Sequence, residues 1–594
     1  MKVSSFLLSI LFCTNLTLLG QNNPAPSVIQ LVPVSAKPGS GEFTLTVYGA
    51  NFVTGSVLEW NGSPRTTQVV SSDRLTATIN AQDVSKASSA AVTVVNPAPG
   101  GGASNVAYFP VQLPSATIAL APGLQALEPG LVAVGDFNGD GKLDLVIGQG
   151  CYVDYCSAFI DFYAGKGDGT FASPIRTLVS DPSGFGGPIY LVSLFVADFN
   201  EDGKPDVAFN ASAGDTEFAD IGTIMLSNGD GTFTQRGTFN TGTYEDNVSA
   251  VGDLNGDGLP DLVATGWSGG GYGFEVSIWS ANPNGMYSQT QEFDNLGYNA
   301  QGGAALGDFN GDGKLDLALG GVYGASVGLG NGNGTFQNPA YYQTANPVTD
   351  IFAVDLNGDG KLDLVTNGIC TLFGNGDGTF TPGPCTNAAQ GPMVLGDFDT
   401  DGKVDVAIVG GTPPALSVYF GHGDGTFSSP MVYQLPTSPV YSVPGGLGED
   451  VVALSPGDFR NNGRAGFAVS GSPTAAVYEQ TVASVTPTSL AFGNEELFRT
   501  SPPQTVTFHN IKTSSLQIRA IKVKGVDADA FSQTNNCGRS LPAGGSCQIQ
   551  VTFTPRTSGN NSAYLLVDYQ GIGRQQTVPL SGTGIGTTAE SRQQ

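Results

Sequence analysis

The chain has 594 residues, 84 of them glycine, and only 13% are charged. That length exceeds what one core holds, and the composition suits short strands and tight turns rather than helices. A formal net charge of -27 excludes a nucleic-acid binder, whose phosphates require a basic surface.

At the amino end, Lys2 precedes an apolar run over 6–12 that resumes over 16–19. This predicts a secretory signal over residues 1–20, too short and too interrupted by Asn15 for a membrane span. Residues 26–112 then alternate polar and apolar positions over 43–47, 56–60 and 91–95, with Gly, Asn and Pro turns between them. That pattern predicts a small β-sandwich. Tyr48-Gly-Ala-Asn-Phe52, Trp60-Asn-Gly62 and Asn96-Pro-Ala-Pro-Gly-Gly-Gly102 resemble the IPT/TIG family. The resemblance implies an immunoglobulin-like spacer or recognition module.

From 113 to 482 a repeat governs. Asp136-Phe-Asn-Gly-Asp-Gly-Lys-Leu-Asp144 returns from Asp198, Asp253, Asp308, Asp355 and Asp397, and in altered form from Asp458. Each unit reads as a strand, the acidic loop, a second strand, and a third running into a turn such as Gly167-Asp-Gly-Thr-Phe171. That turn recurs over 229–233, 332–336, 376–380 and 423–427, and more weakly as Asn284-Gly-Met-Tyr287; a fourth strand follows each. Seven four-stranded units predict a seven-bladed β-propeller. The seventh lacks its own fourth strand, which Ala116-Thr-Ile-Ala-Leu120 can supply to close the ring and remove exposed edges. An open solenoid is the alternative. The two motifs together resemble the FG-GAP/VCBS repeat family, the propeller class that includes the integrin α head.

Within the loops, oxygen side chains at positions 1, 3, 5 and 9 and a glycine at position 6 are how a short segment wraps a hard cation. Six sites are expected. They are Asp136, Asn138, Asp140 and Asp144 with the carbonyl of Lys142; Asp198, Asn200, Asp202 and Asp206 with Lys204; and Asp253, Asn255, Asp257 and Asp261 with Leu259. The others are Asp308, Asn310, Asp312 and Asp316 with Lys314; Asp355, Asn357, Asp359 and Asp363 with Lys361; and Asp397, Asp399, Asp401 and Asp405 with Lys403. An all-oxygen set in a flexible loop suits Ca²⁺ over Mg²⁺, and the lack of His or Cys disfavours zinc and copper. Ile147 stands where an EF-hand would carry its bidentate Glu. The alternative is an Asp/Asn/Gly turn that binds nothing. In the seventh copy Arg460 and Gly466 replace ligands, so no ion is expected there.

Beyond Val485-Thr-Pro-Thr-Ser489 a third module runs over 484–584, with a polar tail over 585–594. Gln504-Thr-Val-Thr-Phe508, Ala543-Gly-Gly-Ser-Cys547, Val551-Thr-Phe-Thr-Pro555 and Leu580-Ser-Gly-Thr-Gly584 resemble the ASH-like (choice-of-anchor D) immunoglobulin-like family. That resemblance implies a sandwich with a disulfide. Six cysteines fall as local couples: Cys151 with Cys156, Cys370 with Cys385, and Cys537 with Cys547. Fifteen connectivities exist, of which local pairing is favoured, with free thiols as the alternative.

Catalytic residues are not expected. The two histidines, His422 and His509, fall in a turn and on a strand, and no nucleophile elbow, phosphate loop or zinc-protease motif occurs. The expectation is an all-β, secreted or cell-surface protein holding about six Ca²⁺ and binding an extracellular glycan or protein, without membrane insertion. A polysaccharide lyase or hydrolase, or a purely structural surface protein, are the competing classes. Loops after the second strands carry Tyr152, Tyr155, Trp267, Tyr272 and Tyr323, aromatics of the kind that stack on sugars or anchor interfaces. They should lie on the face opposite the ions.

Overall fold

The computed structural model describes residues 23–586 apart from 113–119, 123–126, 128–129, 151–157, 180–188, 201, 214–220, 241–243, 268–273, 283–284, 295–302, 322–323, 387, 389–390, 412–414, 436–452, 461–463, 472–473, 481–482, 488, 512–514 and 571–574. The signal expected over 1–20 lies outside the described residues. So do Cys151 and Cys156, and with them the disulfide expected between Cys151 and Cys156. Tyr152, Tyr155, Tyr272 and Tyr323 fall outside them as well. The described chain is almost wholly β, relieved by one short helical turn at Ala528–Ala530. None of its helices is long and apolar enough to cross a membrane.

At the amino end two sheets share one core. The first runs in the order Ser27–Val32, Phe43–Ala50, Arg74–Ile79, Thr67–Val69; the second is built on Val57–Trp60 and Ser88–Asn96. Alternation does the work, because every second residue of Arg74–Ile79 and Ser88–Asn96 points inward. Trp60 and Phe109 meet in that core with ring centroids 5.2 Å apart.

Seven four-stranded antiparallel sheets follow. Sheet one comprises Leu131–Gly135, Asp144–Gln149, Phe159–Tyr163 and Ile175–Leu178, and sheets two to six repeat that order. Their second strands, such as Asp144–Gln149 and Asp405–Gly410, are buried along almost their whole length, as strands covered on both faces must be. Sheet seven joins Ala453–Gly457, Gly466–Gly471 and Thr474–Gln480 to Leu120–Pro122, a strand from before sheet one. Of the expected donor Ala116–Leu120, only Leu120 is among the described residues, and it belongs to this strand.

Neighbouring sheets touch through their first strands. Leu131–Gly135 packs against both Ile189–Ala197 of sheet two and Ala453–Gly457 of sheet seven. A second contact recurs at the rim, where the loop phenylalanine of one sheet meets the turn phenylalanine of the next. Phe137 meets Phe233 at 6.0 Å and Phe309 meets Phe380 at 5.3 Å. Phe459 of sheet seven meets Phe171 of sheet one in the same way, at 6.0 Å.

The carboxyl-terminal module again has two sheets over one core, centred on Phe508, Phe553, Tyr569 and Leu565. Cys537 and Cys547 are disulfide-bonded within it, and Cys370 bonds Cys385 across the outer strands of sheet five.

Candidate metal centres in the acidic loops

Each acidic loop joins the first strand of its sheet to the second. The turn demands a left-handed glycine at position 6, as at Gly141 with φ +78°. Loop six adds a left-handed residue that is not glycine, Thr400 at φ +60°, beside the loop richest in carboxylates. The inward oxygens are ordered by the loop's own amides. Asp136 accepts the N–H groups of Asp140 (3.0 Å) and Gly141 (2.8 Å), Asn138 accepts Asp140 N–H (2.9 Å), and Asp140 accepts Lys142 N–H (3.0 Å). Loops two to six repeat this pattern from Asp198, Asp253, Asp308, Asp355 and Asp397. In loop six one oxygen each from Asp397, Asp399 and Asp405 lie within 4.8 Å of one another. This all-oxygen set fits a hard divalent cation, with Asn or Asp at position 3 supplying a neutral or charged ligand.

The ninth-position aspartates do more than face inward. All six are fully buried. One oxygen accepts the N–H of the second loop residue, Phe137, Phe199, Leu254, Phe309, Leu356 or Phe398, at 2.8–3.1 Å. The other accepts an N–H at or just past the end of the third strand, from Gly165, Ser227, Ala281, Gly330, Gly374 or Gly421, at 2.7–2.8 Å. Recurrence of this aspartate is therefore explained by backbone capping as well as by ligation. Position 7 also has a second use: the ammonium groups of Lys142 and Lys204 pair with Asp140 and Asp202 at 2.7 and 2.8 Å.

Burial dominates the electrostatics. It lifts the carboxyls of Asp144, Asp206 and Asp316 to about 7 and those of Asp261 and Asp405 to about 8, against the opposing pull of the capping amides. Burial also raises Asp253 and Asp397 to about 6. A cation among these groups would reverse that balance.

Loop seven keeps Asp458, but Arg460 stands at the third position, its guanidinium donating through Nε to Oε2 of Glu479 at 2.6 Å. Glu479 is 6% exposed, its carboxyl raised by burial and pulled back by Arg460.

The amino-terminal sandwich lies on these loops, which the sequence did not foretell. Ala25 N–H donates to Oδ2 of Asp253 at 3.0 Å, and Asn51 Nδ2 donates to the Asp253 carbonyl at 3.2 Å. The Gln30 amide brackets Asp355, accepting its N–H at 2.7 Å and donating to its carbonyl at 3.1 Å. Ser35 hydrogen-bonds Asp397, and a side chain added at Gly313 would overlap Ser72. Ala50 shares a core with Leu254, and Ile29 packs near Phe309 and Leu362.

Along the first strands of sheets two to five lies a cavity of about 500 Å³, lined by Ser193, Ser249, Thr265, Thr349, Asp350 and Phe352 among others. Asp350 precedes the strand whose far end enters loop five. Burial lifts its carboxyl to about 7, and it accepts Met393 N–H at 3.1 Å. Trp267 belongs to the strand Asp261–Trp267, opposite Tyr244 and Phe274, rather than to the loop beyond it. His422 bonds Thr426 within its turn and His509 bonds Ser546 across strands, at 2.9 and 2.8 Å.

Comparison with known families places an FG-GAP-like repeat over residues 136–209, 253–319, 308–366 and 397–469. A HYDIN/CFA65/VesB-like, Ig-like domain matches 484–583. Among curated proteins none matches. Similar solved structures include an Agrocybe aegerita lectin that recognises non-reducing terminal N-acetylglucosamine, at 18% identity, covering 65% of this chain and 95% of its own, with a TM-score of 0.36. An auxiliary nutrient binding protein from Bacteroides ovatus gives 10% identity, 77% and 98% coverage, and a TM-score of 0.31. The PapD-like domain 7 of human CEP192 gives 22% identity, 18% and 88% coverage, and a TM-score of 0.14. At these values the likenesses say nothing about a ligand.

Proposed function

We propose that this chain, with its FG-GAP-like repeats and carboxyl-terminal Ig-like domain, is a secreted, calcium-stabilised binding or adhesion protein without catalytic activity. Its seven sheets close into a seven-bladed β-propeller. The strand Leu120–Pro122 supports closure, as does the Phe459–Phe171 contact, which repeats between sheets seven and one the contact made by Phe137 and Phe233. The amino-terminal module is an IPT/TIG sandwich; Asn61 and Gly62, both left-handed in its Trp60-Asn-Gly62 turn, support that reading. Disulfides at Cys370–Cys385 and Cys537–Cys547 suit an oxidising, extracellular compartment. Calcium in the six loops neutralises carboxylates that burial otherwise disfavours.

The ligand, a glycan or a protein, is taken at the end of the propeller remote from the acidic loops. The observation that carries this reading is the asymmetry of the two ends. One is spent on the chain's own sandwich, through Ala25, Gln30 and Asn51, while Asp350, which lines the cavity, precedes its strand at the other. A cavity with a few convergent polar groups is the default binding site. Glycan and matrix-protein panels, probed with and without chelator alongside polysaccharide turnover, test the proposal. Saturable binding weakened by Asp350→Asn, with no product released, is expected. Release of oligosaccharide that Asp350→Asn abolishes would instead mark an enzyme, and binding that survives in the isolated Ig-like modules alone would move the site.

A further inference from the structure

The sandwich does not cover the acidic loops evenly. Asp253, Asp308, Asp355 and Asp397, the first residues of loops three to six, are only 6–8% exposed, whereas Asp136 and Asp198 remain partly exposed. Four contacts accompany this burial: Ala25 reaches Asp253, Ser72 crowds Gly313 of loop four, Gln30 brackets Asp355 and Ser35 reaches Asp397; loop one is met too, by Tyr108, which packs with Leu143 near Asp136. Between loops four and five the sandwich leaves a cavity of about 190 Å³ that brings its Asp73 beside Asp308 and Lys361.

Seating the sandwich therefore takes four carboxylates out of water, each already beside other carboxylates of its own loop, and adds Asp73 to one of them. Without a compensating charge this burial opposes docking; with a divalent cation in the loop the opposition disappears. The hydrogen bond from Ala25 is aimed at a carboxylate oxygen, so the seam is made in part from the groups that would hold the ion.

We infer that cation occupancy of loops three to six and seating of the amino-terminal sandwich form one linked equilibrium, with loop two outside it. The inference rests on the calcium reading above. Linkage is reciprocal: cations hold the sandwich on the loops, and the sandwich tightens the cations. Losing the cations releases a hinged, intact domain and uncovers the loop end of the repeats.

Hydrogen exchange on the full chain, in calcium and in chelator, with metal content measured on the same samples, tests this. In chelator, the Ala25 amide, which donates to Asp253 across the seam, should exchange about 10-fold faster or more, the size of a typical coupling, while the core strand Ser88–Asn96 stays protected. In the reciprocal arm, Gln30→Ala, which leaves both backbone groups of Asp355 without their partner, should weaken calcium binding at loops three to six and spare the ion of loop two. Loops emptied of calcium with unchanged exchange at Ala25 would overturn the linkage and leave the calcium reading intact. Exchange rising equally through Ser88–Asn96 would mean melting rather than release and would also overturn it. A chain that holds no calcium would overturn the linkage together with the calcium reading, and the metal analysis separates that failure from the others.

Discussion

Loop one and loop seven begin alike, with Asp136-Phe and Asp458-Phe, and then part at the third residue. Loop one continues with Asn138 and Asp140, and its interior is lined by carbonyl and carboxylate oxygens ordered on backbone amides. Loop seven continues with Arg460, whose guanidinium is held by Glu479 of the third strand. The third position thus carries a positive charge of its own in one copy, where six others offer a side-chain oxygen. The seventh copy cannot simply be converted back. A Cβ at Gly466, the ninth position, would lie 2.7 Å from the Tyr478 carbonyl oxygen, because the third strand runs closer there. What that guanidinium does for one sheet is the measure of what a cation should do for the others.

The largest effect expected is therefore on removing calcium. A ligand bound only by the native state stabilises it by about 2.7 kcal/mol per site at a hundredfold excess over Kd. Calorimetry in chelator should show the transition of the repeats moved down by many degrees, with the carboxyl-terminal Ig-like domain unmoved. Identical traces with and without chelator would erase the distinction between six loops and one.

Protons should imitate the missing cation in part. The ninth-position carboxyls stand at about 6–8 when folded, against an ordinary value near 4, so the folded state holds protons that the unfolded state releases. Their stabilising contribution is complete below about pH 4 and is lost as pH rises through about 6–8. The chelated protein should melt several degrees higher at pH 5 than at pH 8. In calcium the trend should reverse, since protons compete with the ion. The exposed turn acids Asp230, Asp377 and Asp424 are held low by their threonine hydroxyls and act only at still lower pH. A chelated protein that loses stability on mild acidification would contradict the burial account.

Next in size is the covalent cation itself. Arg460→Ala would leave Glu479 buried with no guanidinium, and its Oε1 already lacks a partner. Breaking a buried pair from one side costs about 3–5 kcal/mol. Added calcium should not restore the loss, whereas Glu479→Gln in the same background should recover part of it by removing the stranded charge. Rescue by calcium would mean that loop seven is a cation site masked by its arginine.

Much of this was legible in the sequence, and the misses have physical causes. The spacing of Asp, Asn and Gly marks the loops and their strands, since position 6 needs a left-handed residue and alternation reveals strand faces. Cys370 pairs with Cys385 and Cys537 with Cys547, as their proximity suggests. The same proximity argument for Cys151 and Cys156 has no counterpart to set beside it, because both fall outside the described residues. The seat of the sandwich was hidden because Gln30 meets a residue 325 positions away through backbone groups that carry no sequence signal. The glycine-rich run after Trp267 points to a loop there, yet the second strand of sheet three extends far enough to include Trp267 itself. The ninth aspartate reads in the sequence as a ligand alone. Its second partner, Gly165 in sheet one, lies 21 residues on and contributes only an N–H.

That second duty yields the finest test of the comparison. Asp316 is fully buried and accepts Phe309 N–H at 2.8 Å with one oxygen and Gly330 N–H at 2.7 Å with the other. Asp316→Asn keeps the shape but offers one acceptor, and its amide N–H₂ must face one of the two donors. An unmet buried donor costs about 1–3 kcal/mol. Asp312→Asn makes the complementary change at the fifth position, where the carboxylate is about one-third exposed and pairs only with its own loop and Lys314. Asp312→Asn should lower calcium affinity at loop four and leave the chelated melting temperature within error. Asp316→Asn should lower the melting temperature both in calcium and in chelator. Should the cost of Asp316→Asn vanish once calcium is removed, the ninth aspartate is a ligand and nothing else, and its two backbone bonds are incidental to the fold.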